Sequence, residues 1–155
     1  MPIEWMSEDE ARAFLAGRIE GRLATCNQAG EPYITPLNYV VHENKIYLHS
    51  KLTGRKLDNL AENPRVCFEV SETVKNTVSC DAPCACATRY TSVLVFGAAR
   101  VLSDNAEKTI VLNRLVARFA AGKAFQPVEE KHAASCAVIE IAIGTISGKR
   151  NVDPE

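Results

Sequence analysis

The sequence predicts an α+β protein, a mostly antiparallel six-stranded β-barrel, closed or split, with three peripheral helices. Three observations lead there. About six strand-like runs occur, several joined by tight turn clusters, which favours antiparallel pairing. Only three segments carry a helical period, too few for a parallel α/β sheet. The chain has 155 residues, 46% of them hydrophobic and 24% charged. That suits a single domain over 1–155, large enough to hold a core without disulfide staples.

Each element has its own signal. Ser7-Glu8-Asp9-Glu10 fits a capping box, with Ala11, Phe14 and Leu15 forming one face of a helix that ends at Gly17 or Gly21. Arg22–Cys26 is strand-like, and Asn27-Gln28-Ala29-Gly30 turns the chain. Tyr33–Val41 is the second strand, His42-Glu43-Asn44 a turn, and Lys45–Ser50 the third strand. Pro36 cannot donate to a ladder, so it marks an edge, a bulge or a ligand-lined stretch. A second helix follows over Arg55–Glu62, with Thr53 as N-cap, Leu57, Leu60 and Ala61 on one face, and Asn63-Pro64 as its stop. Arg65–Val70 is a fourth strand, and residues 72–87 read as a long polar loop. Thr88–Leu102 is a long strand bending at Gly97. Asp104 opens a helix whose apolar side is Ile110, Leu112, Leu115, Val116 and Phe119, and Gly122 closes it. Cys136–Ser147 is the last strand.

Composition removes several functions. Lys and Arg number 18 and Asp and Glu 19, a formal net charge of −1, and aromatics are 6%. A nucleic-acid binder is expected to show a basic excess and stacking aromatics, and neither is here. No apolar run reaches the length of a membrane span. The acidic start, Met1-Pro2-Ile3-Glu4-Trp5, lacks a basic-then-apolar signal, so a cytoplasmic protein is expected. Of six cysteines, Cys26, Cys67 and Cys136 lie in apolar strand-like stretches and behave as small hydrophobes. Cys80, Cys84 and Cys86 share a loop but lack paired C-x-x-C knuckles, so no metal site is expected. His42 and His132 read as turn and solvated residues.

The densest chemical signal is His49-Ser50-Lys51-Leu52-Thr53-Gly54-Arg55-Lys56, running from a strand end into a helix start. Free amides and the helix dipole favour an anion there. Ser50 and Thr53 add hydroxyls, and Gly54 lets a ligand approach the backbone. Arg55 offers a forked donor and Lys56 a point charge, a set suited to a phosphomonoester. The alternative is a solvated basic turn, but basic residues there oppose the dipole unless an anion is bound. No Walker loop is present. Asn38 and Tyr39 fall on the strand neighbouring that of His49.

Gly30-Glu31-Pro32-Tyr33, Pro36-Leu37-Asn38-Tyr39, Ile46–Ser50, Gly54–Leu57, Asn63–Val70 and Arg89–Arg100 together resemble the pyridoxamine 5′-phosphate oxidase-like flavoproteins, in the branch of the 5-nitroimidazole resistance reductases. The likeness covers about residues 15–105. It implies an FMN-binding split barrel working as a homodimer, with flavin at the subunit interface. By that resemblance Arg55, Lys56 and Ser50 bind the FMN phosphate, and Pro36, Leu37, Asn38 and Tyr39 face the isoalloxazine ring. His49 lies nearby as flavin neighbour, proton donor or packed strand residue. Tyr90 and Ser92 lie at the flavin, supplied from either subunit. The implied activity is transfer of electrons from a reduced nicotinamide or similar donor to a small oxidised acceptor such as a nitroaromatic. The alternative is a non-catalytic flavin- or haem-binding protein on the same barrel. The end of the chain, Gly148–Glu155, lacks the Arg-containing substrate motif of true pyridoxamine phosphate oxidases, so oxidation of pyridoxamine phosphate is not expected. No catalytic residue is assigned.

Overall fold

The computed structural model describes residues 3–77 and 86–151. Its elements run β1 (Glu4–Met6), α1 (Glu8–Gly17), β2 (Glu20–Cys26), β3 (Pro32–His42), β4 (Lys45–Ser50), α2 (Arg55–Glu62), β5 (Arg65–Thr77), β6 (Ala87–Val101), α3 (Asn105–Ala120), α4 (Glu130–Ala133) and β7 (Ala137–Asn151). Every strand pair is antiparallel. The order β1-β7-β4-β3-β2-β5-β6 returns on itself because β6 also pairs with β7. Six strands therefore form a closed ring, and β1 is a short seventh strand attached to β7.

Closure falls to β7. It pairs with β4 over Ala137–Ala142 and with β6 out to Asn151. Phe96 faces Thr145 while Gly97 faces Ile143, which leaves Gly144 as a bulge. A Cβ on Gly97 would lie 2.1 Å from the Ala142 carbonyl oxygen, so the bend expected there admits no side chain.

Alternation sorts the strands into two faces. Leu23, Tyr39, Leu48, Phe68, Val93, Val95, Ile139 and Ile141 fill the barrel. Ala11 and Leu15 of α1 plug one side, and the capping box appears as expected, with Ser7 accepting from Glu10 N and Glu10 accepting from Ser7 N. A second cluster, including Tyr47, Leu102, Leu112 and Val138, seats α3. Asp104 caps that helix by accepting from Glu107 N at 2.7 Å, and Ala121 and Gly122 end it at positive φ.

Several expectations need correction. The segment 72–77 is strand, because β5 and β6 keep their antiparallel ladder past the barrel wall, and the side chains of 72–76 are exposed on both faces. Cys80 and Cys84 lie outside the described residues. α3 buries Lys108, Val111, Leu112 and Leu115, while Ile110 and Phe119 face outward. On α2 the second buried residue beside Leu60 is Asn59, whose Nδ2 donates to Thr25 Oγ1 at 3.0 Å, and Ala61 is exposed. The N-cap of α2 is Gly54, not Thr53.

One polar group is buried under α3. Glu140 accepts from Arg100 Nε at 2.7 Å, Lys45 Nζ at 3.0 Å and the Tyr47 hydroxyl at 3.0 Å. Burial raises the carboxyl pKa, but these donors outweigh it and hold the group at about 2 instead of 4.5. Burial, then the Glu140 charge, pushes Tyr47 up to about 12.

Candidate functional site

β3 changes neighbours midway. Pro32–Asn38 pair with β2, and Tyr39–His42 pair with β4. Over Pro36–Asn38 the β4-side edge is therefore open, and Pro36 stands where no ladder bond is asked of it. A cleft of about 340 Å³ opens there, lined by Glu20, Pro36, Leu37, Asn38 and His49. Pro36, Asn38 and His49 are exposed, and Leu37 is half-buried against the core. Tyr39 is fully buried. Its hydroxyl donates to the Leu15 carbonyl, its ring meets Phe68 edge-on at 4.9 Å, and burial raises its pKa. The Tyr39 side chain thus serves the core, and its amide donates to the Ile19 carbonyl at 3.0 Å, so Tyr39 does not line the cleft.

The other end of β3 adjoins the start of α2. Gly54 has φ +132°, a value that favours glycine, and no side chain caps the helix. Its carbonyl accepts from Leu57 N at 2.8 Å and Asp58 N at 3.2 Å, so the amides of Arg55 and Lys56 precede the first intrahelical bonds. Arg55 lies 5.3 Å over the Tyr33 ring and pairs with Glu31 at 3.3 Å. Both partners of that pair are at least half exposed (50% and 64%). Such pairs are worth about 0–1 kcal/mol, so a phosphate dianion can displace Glu31. Lys56 is half-buried, and the Ser50 hydroxyl donates to the Lys51 carbonyl at 3.0 Å. An uncapped helix start, a displaceable guanidinium and a nearby ammonium fit a phosphomonoester, while the open β3 edge fits a flat ring.

Tyr90 and Ser92 do not join this cleft within one chain. Ser92 lies cross-strand from Ser71 and Lys149 and lines a separate hollow of about 90 Å³ with Trp5, Leu94 and Ser147. Lys149 Nζ stands 5.9 Å over the Tyr90 ring.

Three features escaped sequence reasoning. Glu20 lines the cleft because β2 starts two residues earlier than expected. Beyond it lies a second cleft of about 390 Å³. A broad groove of about 570 Å³, lined in part by Cys26, Asn63, Arg65, Cys67, Phe96 and Thr145, covers the outer sheet face. Only the strand register places these residues together. Cys26 Sγ accepts from Asn63 Nδ2 at 3.1 Å, and burial pushes the Cys67 thiol up. Among the described residues no three His, Cys, Asp or Glu side chains gather as a metal set. Among them, too, no helix is long and apolar enough to cross a membrane.

Fold and cleft define the class: an antiparallel six-stranded split barrel with an open strand edge beside an uncapped helix. Residues 7–150 match the family model described as pyridoxamine 5′-phosphate oxidase, and the chain belongs to that family. The fold resembles a candidate 5-nitroimidazole antibiotic resistance protein from Bacteroides thetaiotaomicron VPI-5482. The TM-score is 0.80 at 19% identity, over 97% of this chain and 89% of that one. It also resembles an FAD-binding protein from Mesorhizobium loti (TM-score 0.74, 24% identity, 98% and 100% covered). An FAD and haem binding protein from Mycobacterium smegmatis is similar as well (TM-score 0.82, 21% identity, 100% and 76% covered). An uncharacterized protein of Rhizobium meliloti (strain 1021) is 33% identical over 76 residues; the match spans 49% of this chain and 49% of that protein. The chain thus spans about half the length of the curated relative it matches.

Proposed function

We propose that the protein is an FMN-dependent oxidoreductase that passes electrons from a reduced nicotinamide or similar donor to a small oxidised acceptor such as a nitroaromatic. One observation carries this reading. The open edge of β3 at Pro36–Asn38 forms a cleft with His49, and the same strand leads back to the Arg55–Lys56 helix start. Arg55, Lys56 and the first amides of α2 would hold the phosphate, helped by Ser50. Pro36, Leu37 and Asn38 would face the ring, with His49 at its margin and Tyr39 holding the strand from the core side. Flavin, when bound, supplies the acceptance and donation of electrons. The chain's own part is to fix its position and leave one face open to a second reactant. The FAD-binding structural neighbours support a flavin in general; the phosphate site at α2 favours FMN.

The reading includes a homodimer with flavin at the interface. Ile34, Ala24, Cys67, Phe96 and Thr145 form one cross-strand row on the outer face. Ile34 and Phe96 in it are 63% and 51% exposed, as expected of a face that a second copy covers. That copy would bring its Tyr90 and Ser92 to the flavin. A Phe96→Glu change should shift the protein to monomer in sedimentation experiments.

The visible spectrum of the purified protein tests the cofactor. Flavin bands, with FMN released on heating, are expected; a colourless protein that refuses FMN overturns the reading. A second reading, a flavin- or haem-binding protein without turnover, draws on the likeness to the FAD and haem binding protein and on the exposed His49 imidazole. A flavin-loaded protein that never re-oxidises reduced nicotinamide, or one with a Soret band, would favour it.

A further inference from the structure

The cleft at β3 does not end at Glu20. That residue also lines the second cleft, with Arg18, Ile19, Ser71 and Glu72. We propose that this adjoining cleft is a subsite for the carboxylate of a small planar acceptor, with Arg18 as its receiver and Glu72 as the group it displaces. The proposal rests on the flavin reading of the neighbouring cleft.

Among the described residues, Arg18 is the one lysine or arginine lining either cleft. The chain is extended at Arg18, and Glu20 follows two residues later. That separation is about 6–7 Å, close to the width of one substituted aromatic ring. An acceptor ring lying beside Glu20, against a flavin held at the Pro36–Asn38 edge, would therefore carry a substituent towards the guanidinium.

The guanidinium is held in place but not used up. Its carbon lies 4.4 Å from the centre of the Phe14 ring, which fixes the plane of the group. Arg118 donates to the carbonyls of Ala16 and Arg18, which pins the backbone that carries it. One terminal nitrogen pairs with Glu72, and both side chains of that pair are well exposed (39% and 43%). Exposed pairs of this kind contribute little and exchange readily. Arg18 Nε has no hydrogen-bond partner among the described residues, although water does not reach it. Nε therefore lies out of a ligand's reach, and it is the end of the group carrying the two terminal nitrogens, the end that meets Glu72, from which a carboxylate can accept two hydrogen bonds at once. Glu20 and Glu72 are the acids of this cleft, so an anion is tolerated only while Arg18 is present.

The test uses FMN-loaded protein titrated with 4-nitrobenzoate and with uncharged nitrobenzene, read from the visible flavin spectrum. Arg18→Gln should weaken 4-nitrobenzoate about tenfold. Glu72→Gln, which frees the guanidinium, should tighten it about threefold. Nitrobenzene binding and FMN retention should stay within about twofold in both variants. A merely structural pair would suffer the same way from loss of either partner, so opposite signs are diagnostic. Equal shifts in both variants, equal shifts for both probes, or no shift at all would overturn the subsite while leaving the flavin reading intact. A protein that takes up no FMN would overturn both.

Discussion

Two groups of charges in this molecule are in opposite states. Glu140 is buried under α3 with its donors already in place on β4 and β6. Arg55 and Lys56 stand at an exposed helix start where no side chain caps the first amides. The helices repeat the contrast. α1 and α3 each begin on a side-chain cap, Ser7 and Asp104, with acidic residues in the first turn. α2 begins on Gly54 with two basic residues at the positive end of its dipole. The first amides of α1 and α3 are thus met from within the chain, whereas those of α2 have no side-chain cap, which is what the proposed phosphate site requires.

The largest expected effect breaks the satisfied group. Glu140→Ala removes the acceptor shared by Arg100, Lys45 and Tyr47 and should cost about 3 kcal/mol in urea unfolding. FMN retention by the folded fraction should not change. The mirror experiment breaks the open group. Arg55→Ala with Lys56→Ala should weaken FMN about a hundredfold in equilibrium dialysis. Its unfolding midpoint should stay near that of the parent protein, because neither residue supports the core. A reversed pattern, with stability lost at α2 and flavin lost at Glu140, would remove the distinction.

Acid sharpens it further. The Glu140 carboxyl titrates at about 2 in the folded protein against 4.5 when unperturbed. Its folded-state pKa is depressed, so its contribution is complete above about 4.5 and disappears as the pH falls toward 2. The urea midpoint should fall through that window, and Glu140→Gln should flatten the fall. The smallest effects compare the caps. Asp104→Ala should cost about 1 kcal/mol, whereas Thr53→Ala should change stability by less than about 0.5 kcal/mol, since Thr53 caps nothing.

Much of this was legible in the residues, and the illegible parts share a cause. The capping box at Ser7, the cap at Asp104, the span of α2 and the span of β4 all follow from local chemistry, and local chemistry is what a sequence displays. Glu4–Met6 is too short for any period to show, and it becomes a strand only because β7 offers an edge. Residues 72–77 read as loop because the segment is polar and without a period, and the side chains of 72–76 are exposed, yet the backbone ladder to β6 runs on. On α3 the expected apolar side included Ile110 and Phe119, but packing against Tyr47, Leu102 and Val138 buries Val111 and leaves those two exposed. At the candidate site, the helix start and the oddity of Pro36 were visible. The inward turn of Tyr39 and the presence of Glu20 and Arg18 depend on register across β2, β3 and β5, which no single segment carries.

β7 follows every other element among the described residues, and it bonds to β1, β4 and β6 at once. During synthesis, β2 to β6 can therefore emerge from the ribosome and pair with one another, while β1 stays unpaired and the ring stays open along two edges. A nascent chain stalled after α3 would expose the free sides of β4 and β6 to any neighbouring polypeptide. For this protein the hazardous interval of biogenesis is the delay before residues 137–151 clear the exit tunnel.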